Sequence, residues 1–264
     1  MKLLLDTHVH FYPCYDFARL LSSAFYNFQQ LATKQGLKDD EYLSGFILTE
    51  TSDCHYFKSL CAGENLFGKE ITISIANSAH ALIKTSANKQ LVIFPGRQIA
   101  TKEKLEVLAL MQDCAIPDGL SLTEAIAQIS TQGAIPALNW GLGKWTGARA
   151  QLLNKLFADG ACKDTIFADT TMRPFFWHDK LLLAAAQNKQ SIIAGSDLFR
   201  ISGEESFVGS YGICSTNKIN LDSLAEETKQ ILTTPESFKI VGARSSLTAI
   251  ISREAKLLYS KKIK

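Results

Sequence analysis

Apolar residues recur along the chain in short runs, at 2–6, 45–48, 71–75, 91–94, 107–111, 134–138, 165–168 and 191–194. Runs of this length, rich in branched and aromatic side chains and bounded by polar positions, predict buried strands. Longer stretches with apolar residues three and four apart, at 17–35, 122–132, 149–157 and 178–188, predict amphipathic helices. One helix start is sharply marked: Ser121-Leu122-Thr123-Glu124 offers a hydroxyl cap with a carboxylate three residues on, and Gly133 supplies the stop. Strands alternating with helices imply a parallel sheet with helices outside it. The stretch 61–89 breaks this rhythm, since Ala81-Leu82-Ile83 suits either a hairpin strand or a short helix. From Leu221 onward the pattern reads as helical, with breaks at Pro235 and Gly242, and a last helix over 245–259 is expected to pack outside the sheet. No Gly/Ser linker or internal repeat interrupts the 264 residues, so one domain over 1–264 is expected.

Composition narrows the class. At 46% hydrophobic and 20% charged residues the chain suits a globular protein with a large buried core. Its 28 basic and 26 acidic residues are spread along the chain and leave a net charge of +2, which predicts neither a nucleic-acid nor a membrane footprint. The six cysteines include no C-x-x-C pair, and no apolar stretch has the length of a signal or a membrane span. A reducing, cytoplasmic setting is the expectation. Oligomeric state leaves no mark on the sequence.

The candidate chemistry starts where the first apolar run meets Asp6-Thr7-His8-Val9-His10. Residues two apart in a strand point the same way, so His8 and His10 place two imidazoles side by side. Neutral imidazole is a ligand for Zn, Mn, Fe or Ni, whereas the alternative is two polar residues ending an edge strand. In a parallel barrel the sites gather at the carboxyl ends of the strands. Polar residues do follow the predicted strands here: Glu50, Asp53 and His55; Arg97 and Gln98; Glu106; Asn139 and then Gly141-Leu142-Gly143-Lys144; Asp169 and Arg173; Asp197. Arg97, Lys144 and Arg173 suit the phosphate or carboxylate of a small anionic substrate, with ion pairs to neighbouring carboxylates as the alternative. Asp197 ends a wholly apolar run, where a carboxylate calls for a positive partner, and a metal is the strongest such partner.

The segments DTHVH, FPGRQIA, EVLAL, GAIPALNW and IIAGSD, in this order, resemble the PHP (polymerase and histidinol phosphatase) superfamily of metal-dependent phosphoesterases over 2–212. The wider amidohydrolase-like barrels are similar at the N-terminus. The resemblance implies an α/β fold, a distorted TIM-like barrel of about seven strands with C-terminal helices outside, and a cluster of two or three metal ions that activates water. His8, His10 and Asp197 match its ligand positions. Elsewhere the chain departs: Arg97-Gln98 stands where a glutamate is usual, Glu106 where a histidine is, Asn139-Trp140 where His-Pro is, and Leu198-Phe199-Arg200 where a further histidine follows the aspartate. Two imidazoles and two carboxylates, His8, His10, Glu106 and Asp197, then form the expected set for one or two divalent ions, with His55 as a further candidate ligand. Asp197 and Glu106 are the expected catalytic residues, and Arg97, Gln98, Asn139, Lys144 and Arg173 the expected substrate contacts. The implied activity is metal-dependent hydrolysis of a small phosphorylated substrate. The alternative is a PHP-like barrel that binds an anionic metabolite or a protein partner without turnover.

Overall fold

A computed structural model describes residues 1–69, 71–86 and 88–262. In chain order its elements are β1 (Lys2–Val9), α1 (Phe17–Lys34), β2 (Tyr42–Glu50), α2 (Tyr56–Cys61), β3 (Ile71–Ala76), β4 (Ala81–Thr85), β5 (Gln90–Ala100), β6 (Glu106–Leu110) and α3 (Leu122–Thr131). There follow β7 (Ile135–Asn139), α4 (Gly147–Ala158), β8 (Ile166–Thr170), α5 (Lys180–Gln187), β9 (Ile192–Gly195), β10 (Tyr211–Ser215), α6 (Leu224–Thr233), β11 (Phe238–Gly242) and α7 (Leu247–Lys262). Helix α3 carries the capping box read from its sequence, Ser121 and Glu124 each bonding the other's backbone N–H. Gly133 follows it at φ +77°, a left-handed stop that glycine takes at little cost.

Pairing runs β11-β10-β1-β2-β5-β6-β7-β8-β9, with the β3–β4 hairpin appended to β5. The expected α/β barrel is present, but its path holds nine strands rather than about seven. Strands β1, β2 and β5 are parallel, as are β7, β8 and β9. Strand β6 runs against both its neighbours, β5 and β7, so the expectation that every strand is parallel fails there. The link from Ala100 to Glu106 is too short for a crossover and closes a hairpin instead. Consequently Glu106 begins its strand at the same end of the barrel where the parallel strands finish. Strands β10 and β11, in a region read as helical or left unassigned, are five-residue antiparallel pieces, too short for periodicity to distinguish.

Alternation sorts the apolar side chains into layers. Leu3, Leu5, Leu43, Ile47, Val92, Phe94, Leu108, Leu110, Ala137, Ile166 and Ala168 fill the barrel interior. Leu4, Val9, Phe46 and Leu48 face outward against α1, whose Leu20, Ala24, Phe28 and Leu31 recur at helical spacing. Val107, Ala109, Leu138 and Phe167 pack outward against α3, α4 and α5. Helix α7 sends Ile250 into this last cluster from outside the barrel.

Strict alternation from Leu3 and Leu5 would turn His8 outward with Leu4. A bulge between Asp6 and Val9, where three steps on β1 match two on β2, reverses the phase and turns His8 and His10 inward. Closure depends on the same segment. β9 does not form a ladder with β1; instead the Thr7 hydroxyl donates to Ala194 O at 2.8 Å and Asp197 N donates to His8 O at 2.9 Å. The buried Asp6 carboxylate accepts from Ser196 N at 2.9 Å and Gly209 N at 2.8 Å. At Gly195 a Cβ would lie 2.4 Å from His8 Cβ and 2.5 Å from its backbone nitrogen. Gly195→Ala is therefore expected to force this seam apart and destabilise the protein by about 1–3 kcal/mol, read from the midpoint of denaturant unfolding. An unchanged midpoint would mean that the two strands part without cost.

Candidate metal centre

His8, His10 and Asp197 meet at the mouth: one ligand atom from each lies within 4.8 Å of the others. His8 Nε2 is 3.0 Å from His10 Nε2, 3.1 Å from Gln98 Oε1 and 3.5 Å from Asp197 Oδ1. His10 Nε2 is 3.7 Å from the same carboxylate oxygen. The two histidines are buried, and the Asp197 side chain is 17% exposed. Asp197 adopts φ +51°, a left-handed conformation that costs a non-glycine residue about 1–2 kcal/mol. Strain of this kind at a convergence of polar groups is a mark of functional geometry.

The proton on His8 is located by its surroundings. Lys144 Nζ bonds Glu106 Oε1, and Asn139 Nδ2 donates to Glu106 Oε2 at 3.3 Å. This leaves Asn139 Oδ1 facing His8 Nδ1 at 3.2 Å, where only an N–H satisfies it. With Nδ1 protonated, His8 Nε2 directs a lone pair at the centre. Burial lowers the His8 pKa more than the nearby Asp197 raises it, which favours the neutral ring. Burial alone would raise the Asp197 pKa, but His8, His10 and Lys144 outweigh it and hold the carboxyl below its ordinary range. Lone pairs of His8, Gln98 and Asp197 thus converge, with at most the His10 ring offering a hydrogen. Such a donor set fits a divalent cation.

Several expected site residues lie elsewhere. Glu106 is not in the ligand trio; it holds Lys144 and Asn139 one layer behind it. Arg97 sits on the opposite face of β5 from Gln98, where its guanidinium donates to Thr51 O at 3.1 Å and Cys54 O at 2.6 Å, so it is a structural tie and not a mouth cation. His55 lies exposed at the start of α2, 3.2 Å from Arg97 Nη2, too far round the barrel to join the trio. Arg173 turns to Asp169, which accepts from it at 2.7 and 2.6 Å, and Tyr211 donates to the same carboxylate at 2.8 Å. Lys144, Gln98 and Asp197 do line the mouth, around a cavity of about 410 Å³. A larger groove of about 660 Å³ between α1 and the hairpin brings no comparable polar groups together.

Residues not singled out by sequence complete the wall. Tyr12 continues the alternation of His8 and His10; its ring stacks on His10 at 5.2 Å and lies under Arg200 at 5.2 Å. That spacing was the available signal. Glu254 and Leu257 of α7 also border the cavity, although nothing local in their sequence points there. Glu50 is buried, with Oε1 accepting from Tyr56 N at the start of α2. Burial raises its pKa from the ordinary carboxylate value to about 7, despite that bond and Arg97. A raised pKa means that the stabilising contribution is full below the unfolded value and is lost as pH rises through about 7. Glu50→Gln keeps the acceptor without the charge, so its stability relative to wild type is expected to increase between pH 5 and pH 8. Urea unfolding across that range provides the measurement, and a pH-independent difference would remove the buried charge from the account.

No protein-family model and no curated protein matches the chain. Solved structures do. PsfC from Pseudomonas syringae PB-5123 matches with a TM-score of 0.55 at 15% identity, over 100% of this chain and 99% of that one. A two-domain protein from Bacteroides vulgatus ATCC 8482, described as containing a predicted PHP-like metal-dependent phosphoesterase, matches at 0.50 and 13% identity, over 96% of this chain and 70% of that one. Endonuclease Q, in complex with a 27-mer duplex substrate bearing an abasic lesion at the active site, matches at 0.48 and 12%, over 88% of this chain and 57% of that one. The duplex belongs to that protein; for this chain the expectation that nucleic acid is no partner is withdrawn, because a near-neutral composition does not exclude it. Among the described residues no helix is long and apolar enough to cross a membrane. At these identities the likeness concerns architecture, and the chain has a divergent PHP-like barrel fold.

Proposed function

We propose that the protein is a metal-dependent phosphoesterase built around one divalent ion on His8 Nε2, His10 Nε2 and Asp197 Oδ1. The observation that carries this reading is the convergence of those three atoms within 4.8 Å, with the His8 proton held on the far side of the ring by Asn139. The ion supplies Lewis acidity and lowers the pKa of a water toward neutrality. Asp197 stays ionised and charge-compensates the ion. Gln98 adds a neutral oxygen beside His8 and orients rather than charges the site. Lys144, anchored by Glu106, presents an ammonium to the same cavity as Asp197, where it would stabilise charge developing on a substrate phosphate. In this reading the Lys144 ammonium takes the electrostatic place of the further ions that the PHP resemblance implies. Arg200, 42% exposed at the rim and paired with Asp53, offers a second grip on a phosphorylated substrate.

One observation favours the non-catalytic alternative: Glu106, an expected catalytic residue, is occupied by Lys144 and Asn139 and so is not free to act as a general base. Turnover separates the two readings. Protein purified without a His-tag is expected to hold about one equivalent of Zn, Mn or Fe by elemental analysis, and to hydrolyse members of a panel of phosphomonoesters, phosphodiesters and oligonucleotides. Asp197→Asn is expected to weaken metal binding by about 100-fold or more. Lys144→Met is expected to keep the metal and lower kcat by about 10²–10³-fold. A loaded protein inert across the panel would establish the binding barrel, and a protein that takes up no divalent ion would sink both the metal and the reaction.

A further inference from the structure

Arg253 belongs to α7, far in sequence from His8, His10 and Asp197, yet it is 3% exposed and fully engaged. Its Nε lies 3.0 Å from both oxygens of Glu204, and its Nη2 lies 2.6 Å from Glu204 Oε2. Nη1 donates to the Thr171 hydroxyl at 2.8 Å, which in turn donates to Ser196 O at 2.7 Å. Nη2 also donates to Asp197 O at 3.2 Å. The rings of Phe199 and Phe207 each lie 5.0 Å from the guanidinium carbon. Glu204 accepts from Phe199 N at 3.2 Å, so both members of the pair touch the segment that begins at Asp197.

We infer that Arg253 is a positioning residue that holds Asp197 in its left-handed conformation and so aims the carboxylate at His8 and His10. This rests on the proposed role of those three residues as metal ligands. A left-handed aspartate relaxes unless its neighbours hold it. Here the amide is held by His8 O, and among the described residues Arg253 supplies the hydrogen bond to the carbonyl. Stability alone does not call for such a pair, because buried ion pairs are often no better than apolar residues of similar volume. What the pair adds is geometric. A planar guanidinium reaches Glu204, Thr171 and Asp197 in three directions at once, and a lysine ammonium cannot.

Arg253→Lys in the full chain separates charge from geometry. The variant keeps a cation beside Glu204, so its unfolding midpoint is expected close to wild type, while Zn²⁺ affinity by calorimetry falls about 10-fold or more. The visible absorption of the Co²⁺-loaded protein is expected to change with it, since the carboxylate no longer keeps its direction. If the lysine variant does not fold, Arg253→Met combined with Glu204→Gln removes both charges together, and the same losses are expected. A folded variant with Zn²⁺ affinity within about twofold of wild type and an unaltered Co²⁺ spectrum would overturn the inference. His8→Ala is the control for the metal itself. Should wild type bind Zn²⁺ no better than His8→Ala, the metal reading fails and Arg253 is judged on metal-free protein. There Arg253→Lys is expected to accelerate hydrogen exchange at the Asp197 amide about 10-fold, and unchanged exchange rejects the positioning role.

Discussion

Everything at the mouth depends on the close approach of the β9 end to the backbone of His8. Gly195 lets the two chains touch, Asp197 N bonds His8 O, and Asp6 collects the amides of Ser196 and Gly209 from the other side. One small contact therefore does two jobs. It closes the barrel without a ladder between β1 and β9, and it delivers a carboxylate from position 197 to imidazoles at positions 8 and 10. A buried carboxylate is a costly way to tie a seam, and burial raises the Asp6 pKa to about 7 against its backbone donors. The bonds it makes are those that fix the ligand loop, so the cost falls where geometry matters most.

The bulge in β1 is the second constraint. Without it the histidines would face α1 with Leu4; with it they face Gln98 and Asn139 across the interior. Behind the trio, the substitutions that separate this chain from the family pattern form a connected set. Glu106 holds Lys144 with one oxygen and Asn139 with the other, and Asn139 fixes the His8 tautomer. A histidine at 106 would leave Lys144 without its anchor, and one at 139 would remove the amide that bridges Glu106 and His8. On the proposed reading these departures are coherent as one change, in which a resident ammonium stands beside a single cation.

Much of this was legible in the sequence. The eight apolar runs are all strands, the four amphipathic stretches are all helices, and the His8–His10 pair and Asp197 do converge. What was not legible depends on direction and on distance. An apolar run reads the same in either orientation, so the reversal of β6 was invisible, and with it the reason Glu106 reaches the mouth from the start of its strand. Position at a strand end was also too coarse a criterion. Arg97 and Gln98 are adjacent, but alternation sends one outward to Thr51 and Cys54 and the other inward to His8. Arg173 had a carboxylate four residues earlier, and proximity along the chain decided its partner. Arg253 had no local signature at all, because its partners Glu204, Thr171 and Asp197 are assembled only by the fold.

That assembly sets how metal binding and folding are coupled. The ligands come from the first and ninth strands in chain order, and the carbonyl of the third ligand is held by the last helix. An unfolded chain offers no such set, so an ion that binds the native centre draws its free energy wholly from the native state. On the proposed reading a bound cation ties the two strands at the point where β1 and β9 lack a ladder, so the centre is both the chemical site and the clasp of the barrel.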